Sequence, residues 1–417
     1  MIVPSQTSVI TTPSWPHRLW RLFPSRPRRA LMARAAALMA PRITEPAPPA
    51  AHGVAVAGEL ARPSGLGEGA RLMLEALSGL GVRNWQLDIG AALPASVGAP
   101  QRDMAAPPPA GAPLIVHVNA PLLPLALRHL PRDAVRARRV IGYWAWELPI
   151  VPPGWRLAAG FVHEIWAPSR YTAAALEPLL PGSVRVVPHP IAAAPPVPSA
   201  LDRAAFCLPD DAVVVLVSFN LASSFARKNP LGAIAAFRTA FGTRRDRVLI
   251  LKVGHPGHFP ADFARLKEAI GDAPNIRLDT AELSRADRHA LTRAADIVLS
   301  LHRAEGFGLV PAEAMLLGRP VVATAWSGNM DFMDDTSAAL IDYRLIPARD
   351  PRGVFQAGGA QWAEPDLDAA AAQLRRLADD RGVRNALGER GRTMAQSRLG
   401  AEPLAAALRA MGLHVPS

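Results

Sequence analysis

Short apolar runs alternate with stretches of helical periodicity along the first half of the chain, from Gly53 onward. The runs that are typical of buried strands lie at 53–58, 113–118, 139–144, 164–169 and 184–187. A helical pattern covers 68–80, and Ser169 is a predicted helix N-cap. This alternation predicts a parallel sheet that is covered by helices.

A second alternating series follows 192–203, a Pro- and Ala-rich stretch that we interpret as a linker. Strands are predicted at 212–219, 247–253, 275–278, 296–301 and 320–324. Helices are predicted at 231–241, 260–270, 285–294 and 309–317, and in the tail at 367–378 and 402–411.

We therefore expect an α/β fold with two Rossmann-like domains that face each other across a cleft. The domains are predicted at 51–195 and 196–395, and a C-terminal helix at 396–417 is expected to pack back on the first domain. Residues 1–50 form a basic, Pro- and Arg-rich leader, expected to be flexible apart from a short helix at 30–39. Ligands should bind at the carboxyl ends of the strands.

The composition fits a protein of the cytoplasm. Hydrophobic residues make up 50% of the chain, but no uninterrupted apolar run reaches about 18 residues, so no membrane-spanning helix is expected. Arg and Pro interrupt every apolar stretch at the N-terminus, which therefore lacks the pattern of a secretory signal. The single cysteine, Cys207, excludes an internal disulfide and fits a reducing compartment.

The formal net charge is +11 and comes mostly from arginine, because lysine occurs only at Lys228, Lys252 and Lys267. The arginines that precede the first acidic residue, Glu45, are Arg18, Arg21, Arg26, Arg28, Arg29, Arg34 and Arg42. This segment could make peripheral contact with anionic lipid headgroups at the inner face of a membrane, or it could be a solvated leader. Nucleic acid is not an expected partner, because the basic residues are not interleaved with aromatic ones in a known module.

A glycine-containing loop after a buried strand carries the first candidate site, just before the predicted helix 309–317. Gly306 and Gly308 let backbone amides approach a ligand, and the helix start is a natural seat for phosphate oxygens. The Glu313 carboxylate suits a vicinal diol such as that of ribose, and Glu305 lies nearer to where a sugar beyond the phosphates would bind. The glutamate pair alone is equally compatible with a solvated helix face.

Arg227 and Lys228 form the second candidate element and are predicted to open the helix at 231–241. Two cations at a helix N-terminus are unfavourable for the helix dipole, and a bound anion between them would explain their placement. An arginine fork and a lysine charge suit a diphosphate. The alternative is a basic pair on the surface.

The combination of motifs resembles the retaining GT-B glycosyltransferases of the group-1 type, from Gly53 to the C-terminus. The motifs of the second half are Arg-Lys-Asn-Pro (227–230), Glu-Gly-Phe-Gly-Leu-Val-Pro-Ala-Glu (305–313), Gly-Arg-Pro-Val-Val-Ala-Thr (318–324) and Ser-Gly-Asn (327–329). In the first half, Gly-Tyr-Trp-Ala-Trp-Glu-Leu-Pro (142–149) and Glu-Ile-Trp-Ala-Pro-Ser (164–169) are similar to a bacterial subgroup of that family.

The resemblance implies a role for each candidate residue. Lys228 and Arg227 would hold the diphosphate of a UDP- or GDP-sugar donor, Glu313 would bind the ribose, and Glu305 would bind the transferred sugar and help to organise the transition state. The phosphate seat would be completed at Gly306, Phe307, Gly308 and Leu309, with Gly67 and Asn220 nearby. Transfer would proceed with retention and without a metal or other cofactor, to a glycan or lipid-linked acceptor.

Two positions depart from the family pattern. Asn220, in Ser-Phe-Asn (218–220), stands where many relatives have a Gly-Arg pair, and Trp144 stands where many have a histidine. No catalytic histidine is therefore assigned. His189, between two prolines, is interpreted as a hinge or turn residue, and Asp366 as a helix N-cap rather than a metal ligand.

The tryptophans at 144, 146 and 155 are expected either to pack in the core or between domains, or to form a platform for an acceptor. Glu147 lies between them in sequence and needs a partner or a cleft. Two other enzyme classes stay open from sequence, a sugar-nucleotide epimerase and a phosphorylase on the same architecture. A phosphorylase of that kind would require a lysine for pyridoxal phosphate.

Overall fold

The strands of the protein form two parallel sheets and a hairpin. The structure is a computed structural model and describes residues 25–62, 64–90, 108–355 and 357–416. The strands are β1 (Val54–Gly58), β2 (Asn84–Asp88), β3 (Leu114–His117), β4 (Val140–Tyr143), β5 (Glu164–Ala167), β6 (Val184–Val186), β7 (Val213–Asn220), β8 (Arg247–Gly254), β9 (Ile276–Asp279), β10 (Ile297–Ser300), β11 (Val321–Thr324), β12 (Ala339–Ile341), β13 (Tyr343–Pro347) and β14 (Gln361–Pro365).

Helices connect the strands and close the chain. They are α1 (Ser25–Met39), α2 (Gly65–Gly79), α3 (Leu123–Arg128), α4 (Arg156–Ala159), α5 (Arg170–Leu176), α6 (Phe225–Lys228), α7 (Pro230–Phe241), α8 (Pro260–Ile270), α9 (Arg285–Ala294), α10 (Leu309–Leu316), α11 (Leu367–Asp379), α12 (Arg381–Arg398) and α13 (Glu402–Ala410).

Each sheet belongs to one Rossmann-like domain. The first has the strand order β2-β1-β3-β4-β5-β6 and the second β12-β11-β10-β7-β8-β9, and neighbouring strands in both are parallel. The central strands are apolar on both faces, as a sheet covered by helices on two sides requires. The α/β fold with two facing domains is confirmed, and so is the helical C-terminal tail.

Several elements were not predicted. The edge strand β2 has a largely polar sequence, and the antiparallel hairpin β13–β14 lies outside both sheets. Helix α12 contains three glycines, which lower helix propensity. In the leader, α1 begins earlier than predicted and its Ala36 and Ala37 are buried, whereas residues 1–24 lie outside the described part of the chain.

The last helix packs on the first domain. Leu404 and Leu408 of α13 lie in one buried cluster with Val56, Met73 and Ile115. Further contacts join the domains directly: Arg285 of α9 forms ion pairs with Glu68 and Glu75 of α2, at 2.9 and 2.7 Å. The cleft between the two sheets is therefore bounded by contacts on several sides.

Candidate active site

A cleft with a volume of about 700 Å³ lies between the domains. It is lined by loops at the carboxyl ends of strands from both sheets, which is where ligands bind in open parallel sheets. The first domain contributes residues such as Asn119, Glu147 and His189, and the second contributes Lys228 and Glu305. The volume suits a ligand of nucleotide-sugar size.

The cation pair belongs to the short helix α6 and not, as predicted, to the start of the following helix. Ser224 caps α6 by accepting the N–H of Arg227. Asn229 adopts a left-handed conformation (φ 52°) and caps α7, whose first residue is Pro230. Arg227 and Lys228 therefore occupy the last turn of a helix, where the dipole favours cations. The prediction that they open the following helix is thus wrong, and the argument for a bound anion from that helix's dipole does not apply. The role of the two cations has to be argued from the groups that they contact.

Glu305 is the common partner of both cations. Its Oε2 lies 3.1 Å from Nη1 of Arg227, and its Oε1 accepts a hydrogen bond from Nζ of Lys228. Arg227 also donates to the carbonyl of Ala304 at 2.7 Å, and its Nη2 lies 3.4 Å from Oε1 of Glu147. Two cations and two carboxylates thus meet at the bottom of the cleft.

Burial and charge set the protonation states of this cluster. Burial alone would raise the pKa of Glu305, but the charges of Lys228 and Arg227 outweigh it and lower that pKa to about 2. Burial lowers the pKa of Lys228, and Glu305 opposes that effect. Burial raises the pKa of Glu147 in spite of the neighbouring Arg227. Glu305 is therefore an anion at every physiological pH, and Glu147 is the carboxyl group that protonates more readily.

The first domain holds the glycine loop of the second. The carbonyl of Gly306 accepts hydrogen bonds from the hydroxyls of Ser169, at 2.6 Å, and Thr172, at 3.1 Å. Both residues belong to the start of α5, where Ser169 is the predicted N-cap and also accepts the N–H of Thr172. From the other side, a Cβ on Gly328 would lie 2.3 Å from that carbonyl oxygen, so only glycine fits there. The position of the loop is fixed by both domains.

The predicted phosphate seat is the N-terminus of α10. Gly308 is its N-cap residue with φ 102°, a conformation that favours glycine, and Leu309 is the first helical residue. Gly306, Phe307, Gly308 and Leu309 all line the cleft. Because the first backbone N–H groups of a helix lack partners within it, this terminus can receive an anion.

Glu313 lines the same cleft from α10. Its Oε1 lies 3.6 Å from Nε2 of His289, and its side chain is 17% exposed. The carboxylate is therefore accessible on the cleft side. The structure thus brings Glu313, Glu305 and Lys228 into one cavity, as the motifs predicted.

Of the two other predicted contacts, Asn220 lines the cleft and Gly67 does not. Gly67 is not among the residues that line the cleft, and its N–H donates to Oγ of Ser64. A Cβ at Gly67 would lie 2.4 Å from the carbonyl oxygen of Glu59, so close packing explains this glycine. Asn220 lines the cleft, and its Oδ1 accepts the N–H of Ala222.

The tryptophans pack and do not form a platform. Trp144, Trp146 and Trp155 are all buried, and Trp146 stacks on Phe355 of the second domain at 5.3 Å between ring centroids. Trp144 fits against β4 only because Gly142 has no side chain. Asp366 is an N-cap as predicted, since its side chain accepts the N–H groups that follow it in the first turn of α11.

His189 is a cleft residue that the sequence did not reveal. It is 4% exposed, lines the cleft and packs edge-on against Phe307. It lies in the connection between the two sheets, and its interpretation as a hinge or turn residue stays a prediction. Tyr143 donates its hydroxyl proton to the carbonyl of Val187 at 2.8 Å, so Nδ1 of His189, 3.1 Å away, must donate to the Tyr143 oxygen. Nε2 is then the nitrogen without a proton and can act as an acceptor. The contact of Gly69 with the imidazole requires a glycine, a signal too indirect to read from sequence.

Within the described ranges, no group of three or more His, Cys, Asp or Glu residues is arranged to hold a metal ion. None of the helices in those ranges is long and apolar enough to cross a membrane.

Comparison with known proteins agrees with this architecture. Residues 203–398 match the family described as "Family 4 Glycosyltransferase in conflict systems". A D-inositol 3-phosphate glycosyltransferase from Kineococcus radiotolerans is 30% identical over 227 residues, which is 52% of this chain and 48% of that protein. The one from Nocardioides is 30% identical over 160 residues, 36% of this chain and 34% of that protein. The chain thus spans about half, or less, of the length of these curated relatives.

Two solved structures show the same fold at low identity. Anabaena HepE, in complex with UDP and glucose, is 15% identical with a TM-score of 0.57, covering 87% of this chain and 100% of that one. Sucrose-phosphate synthase from Thermosynechococcus elongatus is 16% identical with a TM-score of 0.59, covering 86% and 98%.

By its fold, the chain is a GT-B protein, with two Rossmann-like domains around one cleft. By its sequence, it is similar to group-1 glycosyltransferases, and its second domain carries the family 4 match.

Proposed function

We propose that the protein transfers a sugar from a nucleoside-diphosphate-sugar to a glycan or lipid-linked acceptor, with retention and without a metal ion. The observation that carries the proposal is the cluster of Lys228, Arg227 and Glu305 in a cleft that Glu313 also lines. The complexes of Anabaena HepE with UDP, glucose and UDP-glucose support a UDP-sugar donor. A GDP-sugar fits the same cluster of charges.

The chemistry follows from where charge develops. When the bond between the anomeric carbon and the diphosphate oxygen breaks, negative charge grows on the leaving nucleoside diphosphate. Lys228 and Arg227 are positioned to stabilise it in place of a metal, and one such contact is worth roughly 10²–10³-fold in rate. The helix terminus at Gly308 would bind further phosphate oxygens.

The two glutamates have separate tasks in this proposal. Glu305 stays ionised beside the cations, so it can accept hydrogen bonds from the transferred sugar and stabilise positive charge on its ring. Glu313 would accept both hydroxyls of the ribose. The cleft side of the first domain, with Asn119 and Glu147, would receive the acceptor. We place the reaction in the cytoplasm, at the inner face of a membrane where the acceptor is lipid-linked.

The test is a panel of UDP- and GDP-sugars incubated with the protein in EDTA, with release of the nucleoside diphosphate as the readout. At least one donor should be consumed in EDTA, and Lys228→Ala should lower the rate roughly 10²–10³-fold. Lys267→Ala is the matched control, because Lys267 is exposed on α8 and packs on Phe263. Full activity of Lys228→Ala, or activity that requires an added divalent cation, would contradict the proposal.

A further inference from the structure

One side of the first domain leaves large hydrophobic side chains exposed. Helix α1 buries its alanine side, including Ala36 and Ala37, and turns Leu31 and Leu38 outward, with 56% and 85% exposure. Met32 and Met39, on the same outward side, are also exposed. A helix that packs through alanines and exposes leucine and methionine inverts the usual arrangement of a helix on a globular core.

The neighbouring elements continue this surface. Helix α1 packs on α3 and α4, and α4 packs on the turn at 120–122. Leu122, Ile150 and Leu157 are exposed on or next to those elements. We call the surface formed by α1, residues 120–136 and residues 150–159 the basic apolar face. Seven of the large exposed hydrophobic side chains of the described residues lie on these few packed elements, and such a concentration marks an interaction surface.

The charge of this face is mostly positive. Arg34, Arg128, Arg132, Arg136 and Arg156 are exposed on it. The sequences of α1, 120–136 and 150–159 contain a single acidic residue, the exposed Asp133. Exposed aliphatic side chains among five exposed arginines, with Asp133 as the one carboxylate, complement a surface that is apolar inside and anionic at its boundary.

The face adjoins the cleft. Asn119, which lines the cleft, is followed directly by the turn at 120–122, and its Oδ1 accepts the N–H of Ala145. Glu147, another cleft residue, is three positions before Ile150. A partner bound to this face would therefore lie beside the half of the cleft that belongs to the first domain.

We propose that the basic apolar face docks on the surface of an anionic lipid bilayer, so that the cleft opens next to the headgroups. The aliphatic side chains of α1 would enter the boundary between headgroups and acyl chains, and the arginines would contact lipid phosphates. This deepens the proposed function, since it assigns the acceptor side of the cleft to a lipid-linked substrate. Nucleic acid would leave the exposed leucines and methionines without apolar partners.

The experiment is sedimentation of the full-length protein with vesicles, without donor or acceptor. The protein should bind vesicles of phosphatidylglycerol and phosphatidylcholine, bind pure phosphatidylcholine more weakly, and lose binding as salt is raised. Leu31→Ser with Leu38→Ser should weaken binding roughly tenfold or more. Arg132→Glu with Arg156→Glu should weaken it on the anionic vesicles alone.

The matched control is Val197→Ser with Leu201→Ser, which removes exposed aliphatic side chains from the linker. It should bind like the parent, and unchanged thermal unfolding should show that every variant is folded. Equal vesicle binding by the parent and by the variant with Leu31→Ser and Leu38→Ser would overturn the proposal. Stronger binding of oligonucleotides than of vesicles would also overturn it, and so would a dimer of the parent that this variant no longer forms. Because the vesicle assay contains no donor, its result is independent of the proposed function. Vesicle binding together with no consumption of any donor in the panel of UDP- and GDP-sugars would refute the proposed function and leave this surface assignment standing.

Discussion

Glu305 and Glu313 are eight residues apart in the sequence and have different surroundings. Glu305 is buried between Lys228 and Arg227, whereas Glu313 has His289 beside it and stays accessible from the cleft. The difference implies that removing their charges has different kinetic effects.

Glu305→Gln should lower kcat roughly 10²–10³-fold with a smaller change in the donor KM, because the proposed partner of Glu305 is the reacting sugar. Glu313→Gln should raise the donor KM about 10- to 100-fold with a smaller change in kcat, since it weakens a charged hydrogen bond to a part that does not react. Steady-state kinetics with varied donor measures both. The opposite pattern would exchange the two assignments.

The low pKa of His189 makes the free energy of unfolding depend on pH. Burial lowers the pKa of His189 from 6.5 to about 4, with Glu68 opposing the shift. As the pH falls from 6.5 towards 4, the unfolded chain gains a proton that the folded chain does not, so the free energy of unfolding decreases. The loss from this residue is at most about 3 kcal/mol.

His189→Gln should therefore lose less stability than the parent between pH 7 and pH 5, as measured by denaturant unfolding at each pH. His117 and His302, whose pKa values burial also lowers, stay in both proteins and cancel in the comparison. Identical losses in the two proteins would show that His189 is not held neutral in the fold.

At the scale of elements, the loop 305–308 depends on Gly328. Gly328→Ala would place a Cβ 2.3 Å from the carbonyl oxygen of Gly306 and 2.8 Å from the amide nitrogen of Phe307. The loop must shift, which should cost about 1–3 kcal/mol of stability and weaken donor binding. Gly79→Ala is the control, because nothing lies within 4 Å of a Cβ there. An unchanged melting temperature in Gly328→Ala would contradict this account.

Element prediction succeeded where local patterns coincide with tertiary contacts. Except for the short β12, the apolar strands of both sheets were predicted from the sequence pattern, and so was the helix after Gly308. Helix α12 was missed because Gly388 and Gly391 argue against a helix. A Cβ at Gly388 would lie 2.2 Å from the carbonyl oxygen of Gly318, so close packing requires these glycines. Rules that use only the neighbouring sequence cannot predict such a contact between residues distant in the chain.

The sequence itself contradicts the prediction that Arg227 and Lys228 open the helix at 231–241. Asn229 followed by Pro230 is a capping residue followed by the residue type preferred at the first helical position, so it marks where α7 begins. The cations before it had to belong to another element. Their convergence on Glu305, 77 residues later, could be expected only from the resemblance to a family.

At the scale of the whole molecule, the domains are joined at several separate places. The hydroxyls of Ser169 and Thr172 bind the Gly306 carbonyl, Arg285 pairs with Glu68, and α13 returns to the first domain. The candidate donor site is therefore built by the second domain and positioned by the first. Neither half of the chain alone would present the complete cleft.

The central claim is that this cleft binds a nucleoside diphosphate through Lys228. Calorimetric titration of UDP and of GDP into the parent, Lys228→Ala and Lys267→Ala tests it most directly. The account predicts that one of the nucleotides binds the parent and Lys267→Ala equally, and binds Lys228→Ala at least about tenfold more weakly. Equal affinity for the parent and Lys228→Ala, or no binding of either nucleotide, would contradict it.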